Sequence, residues 1–106
     1  MSAAARERLP NRRACESRDV AVAGLRYTAT LGFYPDGKLG EIFLNASKAG
    51  SSADTAARDS AILASLGLQA GIPPDALLHA LVKDSAGRAM SPIGVVLEKI
   101  VEEART

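Results

Sequence analysis

The chain has 106 residues, 47% of them hydrophobic and 24% charged, with a formal net charge of +1. These are the values of one soluble globular domain, and they exclude the strong global field that attracts nucleic acid or an anionic membrane. No apolar run is long enough to span a bilayer and the N-terminal residues lack a signal-peptide core, so we expect a cytoplasmic protein. The one cysteine, Cys15, excludes an intramolecular disulfide and a cysteine-based metal site.

Residues 1–13 are predicted to form a flexible basic arm, because they combine four arginines with Pro10 and few apolar residues. The arm has two interpretations. It is either a terminus without a role or a contact with phosphate or an acidic partner surface through Arg6, Arg8, Arg12 and Arg13. Residues 14–104 are predicted to form the folded domain.

Three strands are predicted in the first half of the domain. Residues 13–22 read as an edge strand, and Ala23-Gly24 suits a tight hairpin turn. Residues 25–33 alternate cleanly, with one apolar face: Leu25, Tyr27, Ala29, Leu31 and Phe33. The Pro35-Asp36-Gly37 turn then returns the chain as a strand over residues 39–45. The pattern predicts a three-stranded antiparallel meander.

Three helices are predicted after the strands. Residues 53–70 form the first, capped by Ser51 or Ser52 and ended by Gly71. Since this helix is apolar on most sides, we expect it to be buried between other elements, with an inner strip of small residues: Ala53, Ala56, Ala57, Ala61, Ala64 and Leu68. Its polar positions include Asp54, Ser65 and Gln69. Residues 74–83 form the second helix, and Ser91-Pro92 starts the third. The predicted fold class is α+β, with the meander packed against the central alanine-rich helix and two amphipathic helices.

The buried stripe of the second helix is predicted from four apolar residues: Leu77, Leu78, Leu81 and Val82. The buried stripe of the third helix is predicted from apolar residues that recur with a 3.6-residue period: Ile93, Val96, Leu97, Ile100 and Val101. Glu98 is expected to face water. His79 is read as a surface residue and Cys15 as a small half-buried apolar residue.

The segment after Tyr34 resembles the TSCPD domain, the C-terminal region of adenosylcobalamin (vitamin B12)-dependent ribonucleotide reductases. The resemblance rests on DGKLGEIF, on Lys48, Gly50 and Ser51, and on AILASLGLQAGIP over residues 61–73. It implies that the fold is shared over residues 25–101. It also implies that adenosylcobalamin binds outside this region, so no cofactor is expected in this chain.

Reductase activity does not transfer with the resemblance. The reaction needs a radical-bearing cysteine, a reducing cysteine pair and a large barrel, and the full-length enzymes carry a cysteine-containing tail beyond this region. A chain with one cysteine and 106 residues cannot perform that reaction alone. We therefore expect no catalytic residues and no metal site.

The loop that leads into the first helix is the candidate binding site for an anion or a nucleotide. Backbone N–H groups without partners at a helix N-terminus favour an anion, and the loop adds a cation, a glycine and hydroxyls: Asn45, Lys48, Gly50, Ser51 and Ser52. The spacing of a Walker motif is absent. The alternative is a loop with an N-cap serine and a solvated lysine.

Three functions remain open from the sequence. The first is a stand-alone, non-catalytic TSCPD-type module that binds a nucleotide or acts on a ribonucleotide reductase. The second is a small nucleic-acid-binding regulator that uses the basic arm, for which the near-neutral charge gives little support. The third is a protein-interaction module without a small ligand. An apolar central helix and an exposed strand edge both favour a homodimer.

Overall fold

The computed structural model describes residues 5–105. It contains three strands and three helices: β1 (Cys15–Val22), β2 (Leu25–Phe33), β3 (Leu39–Ala46), α1 (Ser52–Gln69), α2 (Pro74–Ala80) and α3 (Pro92–Ala104). The strands form one antiparallel sheet in the order β1-β2-β3. The predicted α+β class and antiparallel meander are confirmed.

The two turns of the meander have the predicted chemistry. Ala23 and Gly24 both have positive φ, 52° and 79°, as a two-residue hairpin turn requires. In the second turn the N–H of Gly37 donates to the carbonyl of Tyr34 at 2.9 Å, and the N–H of Lys38 donates to the Asp36 carboxylate at 2.9 Å. The turns therefore set the register of the three strands.

The core lies between one face of the sheet, α1 and α3. Its largest fully buried side chains come from β2, β3 and α3: Leu31, Ile42, Leu44, Val96 and Leu97. The alternation predicted for β2 is confirmed at Tyr27, Ala29 and Leu31, whereas Leu25 is partly exposed at the strand start. The sheet is thus covered on one face only, and Phe43 lies exposed on the other.

Helix α1 begins at its predicted cap, because the Ser51 hydroxyl accepts from the N–H of Asp54 at 3.1 Å. The prediction that α1 is buried on most sides is wrong. Its inner face is buried as expected at four small or apolar positions: Ala57, Ala61, Ala64 and Leu68. Ala56, which was predicted to lie in the same strip, is exposed. Its outer face leaves Ile62, Leu63 and Leu66 exposed, since the sheet contacts one side of the helix.

Helix α2 ends earlier than predicted, at Ala80, because Leu81 is extended, with φ −86° and ψ 159°. The chain then turns back, and Lys83 pairs with Ala89 in an isolated bridge. The Lys83 ammonium donates to the carbonyls of Leu78 and Leu81 at 2.6 and 2.8 Å. Val82, predicted to be buried, is therefore 73% exposed.

Helix α3 has the predicted Ser91 cap and Pro92 start, and the predicted stripe is buried, with Ile100 half-buried. Glu98 does not face water as predicted, since it accepts from the N–H of Ala89 at 3.0 Å and pairs with Arg88 at 3.0 Å. Cys15 is exposed rather than half-buried. His79 is exposed, as predicted.

Candidate functional site

The predicted anion loop joins the end of β3 to the start of α1. Gly50 has a φ of 77°, a backbone conformation that favours glycine. The Ser51 hydroxyl is fully used, because it donates to the carbonyl of Lys48 at 2.8 Å and accepts from the N–H of Asp54. Asn45, Lys48 and Ser52 are exposed, and the Lys48 ammonium has no partner among residues 5–105.

The Asp54 carboxylate occupies two backbone donors of this loop. One oxygen accepts from the N–H of Ala46 at 2.9 Å, and the other accepts from the N–H of Gly50 at 3.1 Å and from Arg58 at 3.0 Å. Asp54 is buried, with 2% of its surface exposed. The carboxylate therefore bonds residues before the cap rather than the cap residue Ser51 itself.

The environment of Asp54 favours its charged form. The backbone N–H groups of Ala46 and Gly50, followed by the charge of Arg58, hold its pKa below the ordinary value against the opposing effect of burial. The chain thus supplies its own anion at the loop predicted to bind one. An external phosphate would compete with this carboxylate for the same N–H groups.

Two further polar side chains of α1 bond the free edge of β3. The Ser65 hydroxyl accepts from the N–H of Ile42 at 2.8 Å, and its hydrogen lies within reach of the carbonyls of Ile42 and Ala61 at 3.0 and 2.8 Å. The Gln69 amide donates to the carbonyl of Gly40 at 3.1 Å. An edge strand otherwise presents unpaired backbone groups, so Asp54, Ser65 and Gln69 close this edge. We call these three residues the edge seam.

The segment before β1 packs on the far end of the edge seam. The N–H of Glu7 donates to the carbonyl of Gln69 at 2.9 Å, and Arg6 bonds the Gln69 side chain. The Tyr34 hydroxyl donates to the carbonyl of Glu7. Burial, followed by the negative charge of Glu7, raises the pKa of Tyr34. The first four residues of the predicted arm lie outside the described residues, and the arm's flexibility stays a prediction.

Two glycines of the sheet make room for this packing. A Cβ atom at Gly40 would lie 2.6 Å from Cε2 of Tyr34 and 2.9 Å from Cδ2 of Leu9. A Cβ atom at Gly32 would lie 2.6 Å from Cγ of Glu41. Glu41, lying across Gly32, pairs with Arg13 at 2.6 Å. Gly40 and Glu41 of DGKLGEIF thus have structural roles within this domain.

The C-terminal end of α1 explains the glycines of SLGLQAG. Gly71 has a φ of 97° and donates to the carbonyl of Leu68 at 3.0 Å, while Ile72 donates to that of Gly67 at 3.0 Å. This pair of bonds is a Schellman motif, and it confirms the prediction that Gly71 ends the helix. A Cβ atom at Gly67 would contact Leu77 at 3.3 Å, so Gly67 also brings α2 close to α1.

The sequence did not indicate a cleft of about 530 Å³ at this end of the molecule. Its walls come from the strand turn, the end of α1 and the end of α3, and include Tyr34, Lys38, Leu68, Ile72 and Ile100. None of the five predicted site residues lines it. No local pattern marks such a cleft, because its walls are brought together by packing of distant segments.

Across residues 5–105, no group of three His, Cys, Asp or Glu side chains lies close enough to hold a metal ion. None of the helices in that range has the length and apolar character needed to cross a bilayer.

The sequence of the chain matches a known family and several curated proteins. The model of the TSCPD domain matches residues 4–104. The vitamin B12-dependent ribonucleotide reductase of Bradyrhizobium diazoefficiens is 39% identical over 75 residues, which are 71% of this chain and 6% of that protein. The reductase of the same name from Rhodopirellula baltica is 29% identical over 101 residues, 95% of this chain and 9% of its own length.

No solved structure matches the chain. The chain spans less than a tenth of the length of the curated relatives it matches. The matched region includes β1 to α3, and thus the whole edge seam. The chain belongs to the TSCPD domain family.

Proposed function

We propose that this chain is an accessory module of ribonucleotide reduction, which acts by binding a vitamin B12-dependent ribonucleotide reductase and performs no chemistry itself. The observation that supports the proposal is the family match over residues 4–104, together with relatives that carry the name of that reductase. The one cysteine of the chain fits a role in binding rather than in redox chemistry.

The uses of the family-like residues support binding through a surface rather than through a ligand site. Gly40, Ser65, Gly67, Gln69 and Gly71 each serve the packing of α1 on β3 or the end of α1. A residue held in such an internal contact maintains the shape of the domain. The domain would then present a fixed outer surface to a partner.

A binding measurement tests the proposal. The purified chain is titrated with a vitamin B12-dependent ribonucleotide reductase from the same organism, and complex formation is followed by calorimetry or by size-exclusion chromatography with light scattering. We expect a defined complex with a dissociation constant in the micromolar range or below, about −8 kcal/mol or more favourable. Elution of the two proteins as separate species at tens of micromolar would contradict the proposal.

Nucleotide binding at the Asn45–Ser52 loop remains the second candidate. It is favoured by the exposed Lys48 ammonium, which has no partner among residues 5–105, and opposed by the Asp54 carboxylate on the neighbouring N–H groups. A thermal-shift screen with ribonucleotides, deoxyribonucleotides and adenosylcobalamin tests it. A ligand at 100 times its dissociation constant adds about 2.7 kcal/mol, and Lys48→Ala should abolish that gain.

Nucleic-acid binding by the basic arm draws less support from the structure. Arg6 bonds Gln69 and Arg13 pairs with Glu41, so two of the four arginines have partners within the domain. Arg8 and Arg12 are exposed. Binding that weakens steeply with salt and disappears on removal of residues 1–13 would favour this function. The homodimer also stays a prediction, which sedimentation of the purified chain tests.

A further inference from the structure

The outer face of α1 and the residue that follows its C-terminal glycine form an exposed apolar surface. Ile62 is 54% exposed, Leu63 69%, Leu66 41% and Ile72 42%. We call these four residues the outer patch. The exposed area of these leucine and isoleucine side chains contributes no hydrophobic stabilisation in the isolated domain. A cluster of such side chains is typical of an interaction site.

The outer patch is continuous. Ile62, Leu63 and Leu66 are neighbours on the helix surface. A Cβ atom at Gly67 would lie 3.6 Å from Cδ1 of Ile72, and Gly67 is one turn after Leu63. Because Gly67 has no side chain, the apolar surface continues from Leu63 across Gly67 to Ile72.

The α1 segment that carries most of the outer patch lacks charge, whereas Glu7, Asp36 and Lys38 line the cleft on the Ile72 side. The sequence from Ser60 to Ile72 contains no Asp, Glu, Lys, Arg or His. The nearest charges of α1 lie one turn earlier, at Arg58 and Asp59, and Arg58 is paired with Asp54 at 3.0 Å. Depletion of charge is typical of the buried centre of a protein interface. The matching surface is therefore uncharged and apolar as well.

The area of the outer patch decides between two occupants. The four side chains expose on the order of 400 Å², whereas a standard-size interface buries about 800 Å² per partner. A second copy seated symmetrically on the outer patch alone would bury about 800 Å² in total, below the roughly 1,200 Å² at which stable interfaces begin. A larger partner can extend over neighbouring surface, and in the relatives this region belongs to a chain more than ten times as long.

We propose that the outer patch is the surface through which the chain docks on an uncharged, apolar surface of a vitamin B12-dependent ribonucleotide reductase. This inference rests on the proposed function and adds the side of the domain that meets the partner. The edge seam faces β3, whereas Leu63 at the centre of the outer patch faces water.

A pair of matched variants tests the inference. Leu63→Glu places a charge at the centre of the outer patch, and Val82→Glu places one at an equally exposed apolar residue outside it, 73% exposed after α2. Both side chains contact water, so both variants should keep the wild-type thermal midpoint. Titration against the purified reductase should give the wild-type affinity for Val82→Glu and at least tenfold weaker binding for Leu63→Glu.

Each other outcome has a distinct meaning. Equal binding of Leu63→Glu and wild type would overturn the inference and leave the proposed function standing. A wild-type chain that does not bind the reductase would overturn both. Self-association of the wild type that Leu63→Glu abolishes, without reductase binding, would assign the outer patch to a second copy and also overturn the inference.

Discussion

Beside its buried alanines, the inner face of α1 carries buried polar side chains, whereas its outer face carries exposed apolar ones. On the inner face, Asp54 and Gln69 are 2% and 5% exposed and are hydrogen-bonded to β3. On the outer face, Ile62 and Leu63 are more than half exposed. The inner face follows from the need to satisfy an edge strand. The outer face has no such cause among residues 5–105, and the proposed docking on a partner would supply one.

The two edges of the sheet are bonded to the rest of the domain in different ways. The β3 edge is closed by buried hydrogen bonds from the edge seam. At the other edge, Arg18 of β1 reaches Glu103 of α3 by two bonds of 2.5 and 2.7 Å, with Glu103 57% exposed. Buried polar bonds are costly to break and exposed ion pairs are not. The two edges should therefore respond differently to substitution.

Asp54→Asn should give the largest loss of stability among these variants. The amide replaces a carboxylate that accepts from Ala46, Gly50 and Arg58. Its NH₂ group would then face N–H groups that also need an acceptor. The measurement is the thermal midpoint at pH 7, with Asp59→Asn on the exposed side of α1 as the control. A midpoint equal to that of the control would show that the loop does not depend on the carboxylate.

The same substitution should change the pH dependence. Because the pKa of Asp54 is lower in the folded chain than its usual value, its charge stabilises the fold above the unfolded pKa of about 3.9. That contribution is lost as the pH falls through the lower, folded pKa. Urea unfolding from pH 7 to pH 2 should show wild type and Asp54→Asn converging in acid. A difference that stays constant over this range would contradict the assignment.

Gly40→Ala should cost about 1–3 kcal/mol, the usual range for an overpacked site, because the new Cβ would clash with Tyr34 and Leu9. Gly67→Ala is the matched variant in α1. Its Cβ meets the flexible end of Leu77 at 3.3 Å, and alanine gains about 1 kcal/mol of helix propensity, so it should be neutral or stabilising. Trypsin should also cleave at Arg8 faster in Gly40→Ala, a change that an undisturbed N-terminal segment would not show.

Arg18→Ala should have the smallest effect, about 0.2–1 kcal/mol, because its ion pairs with Glu103 and Glu16 lie at the surface. The difference from wild type should shrink further in 1 M salt, where the Debye length is about 3 Å. Urea unfolding at low and high salt measures both. A loss as large as that of Asp54→Asn would remove the contrast between the two edges.

Much of the fold could be predicted from local patterns. The alternation of residues 25–33, the Pro35-Asp36-Gly37 turn and the caps Ser51 and Ser91 each act through their own neighbours. Helix α2 was predicted too long because a lysine two residues beyond its C-cap bonds its last carbonyls and turns the chain. That contact depends on tertiary structure, which periodicity does not report.

The candidate site was less predictable for the same reason. The sequence indicates a helix N-terminus with unsatisfied N–H groups, and the structure has one. It does not indicate that the Asp54 carboxylate accepts from Ala46 and Gly50 before the cap, because an aspartate in the first turn reads equally well as an exposed residue favoured by the helix dipole. The sequence likewise shows Ser65 and Gln69 only as polar positions of the helix. Their hydrogen-bond partners lie on β3, over twenty residues away in sequence, so local pattern does not reveal them.

The most direct test of the division of α1 compares two truncations in urea. Ser65→Ala removes a hydroxyl that satisfies Ile42 and should cost about 1–3 kcal/mol, the usual cost of an unsatisfied buried group. Leu63→Ala removes a much larger side chain from the outer patch and should change stability by less than about 0.5 kcal/mol. This order supports an inner face that holds the fold and an outer face free for a partner. A larger loss for Leu63→Ala than for Ser65→Ala would contradict it.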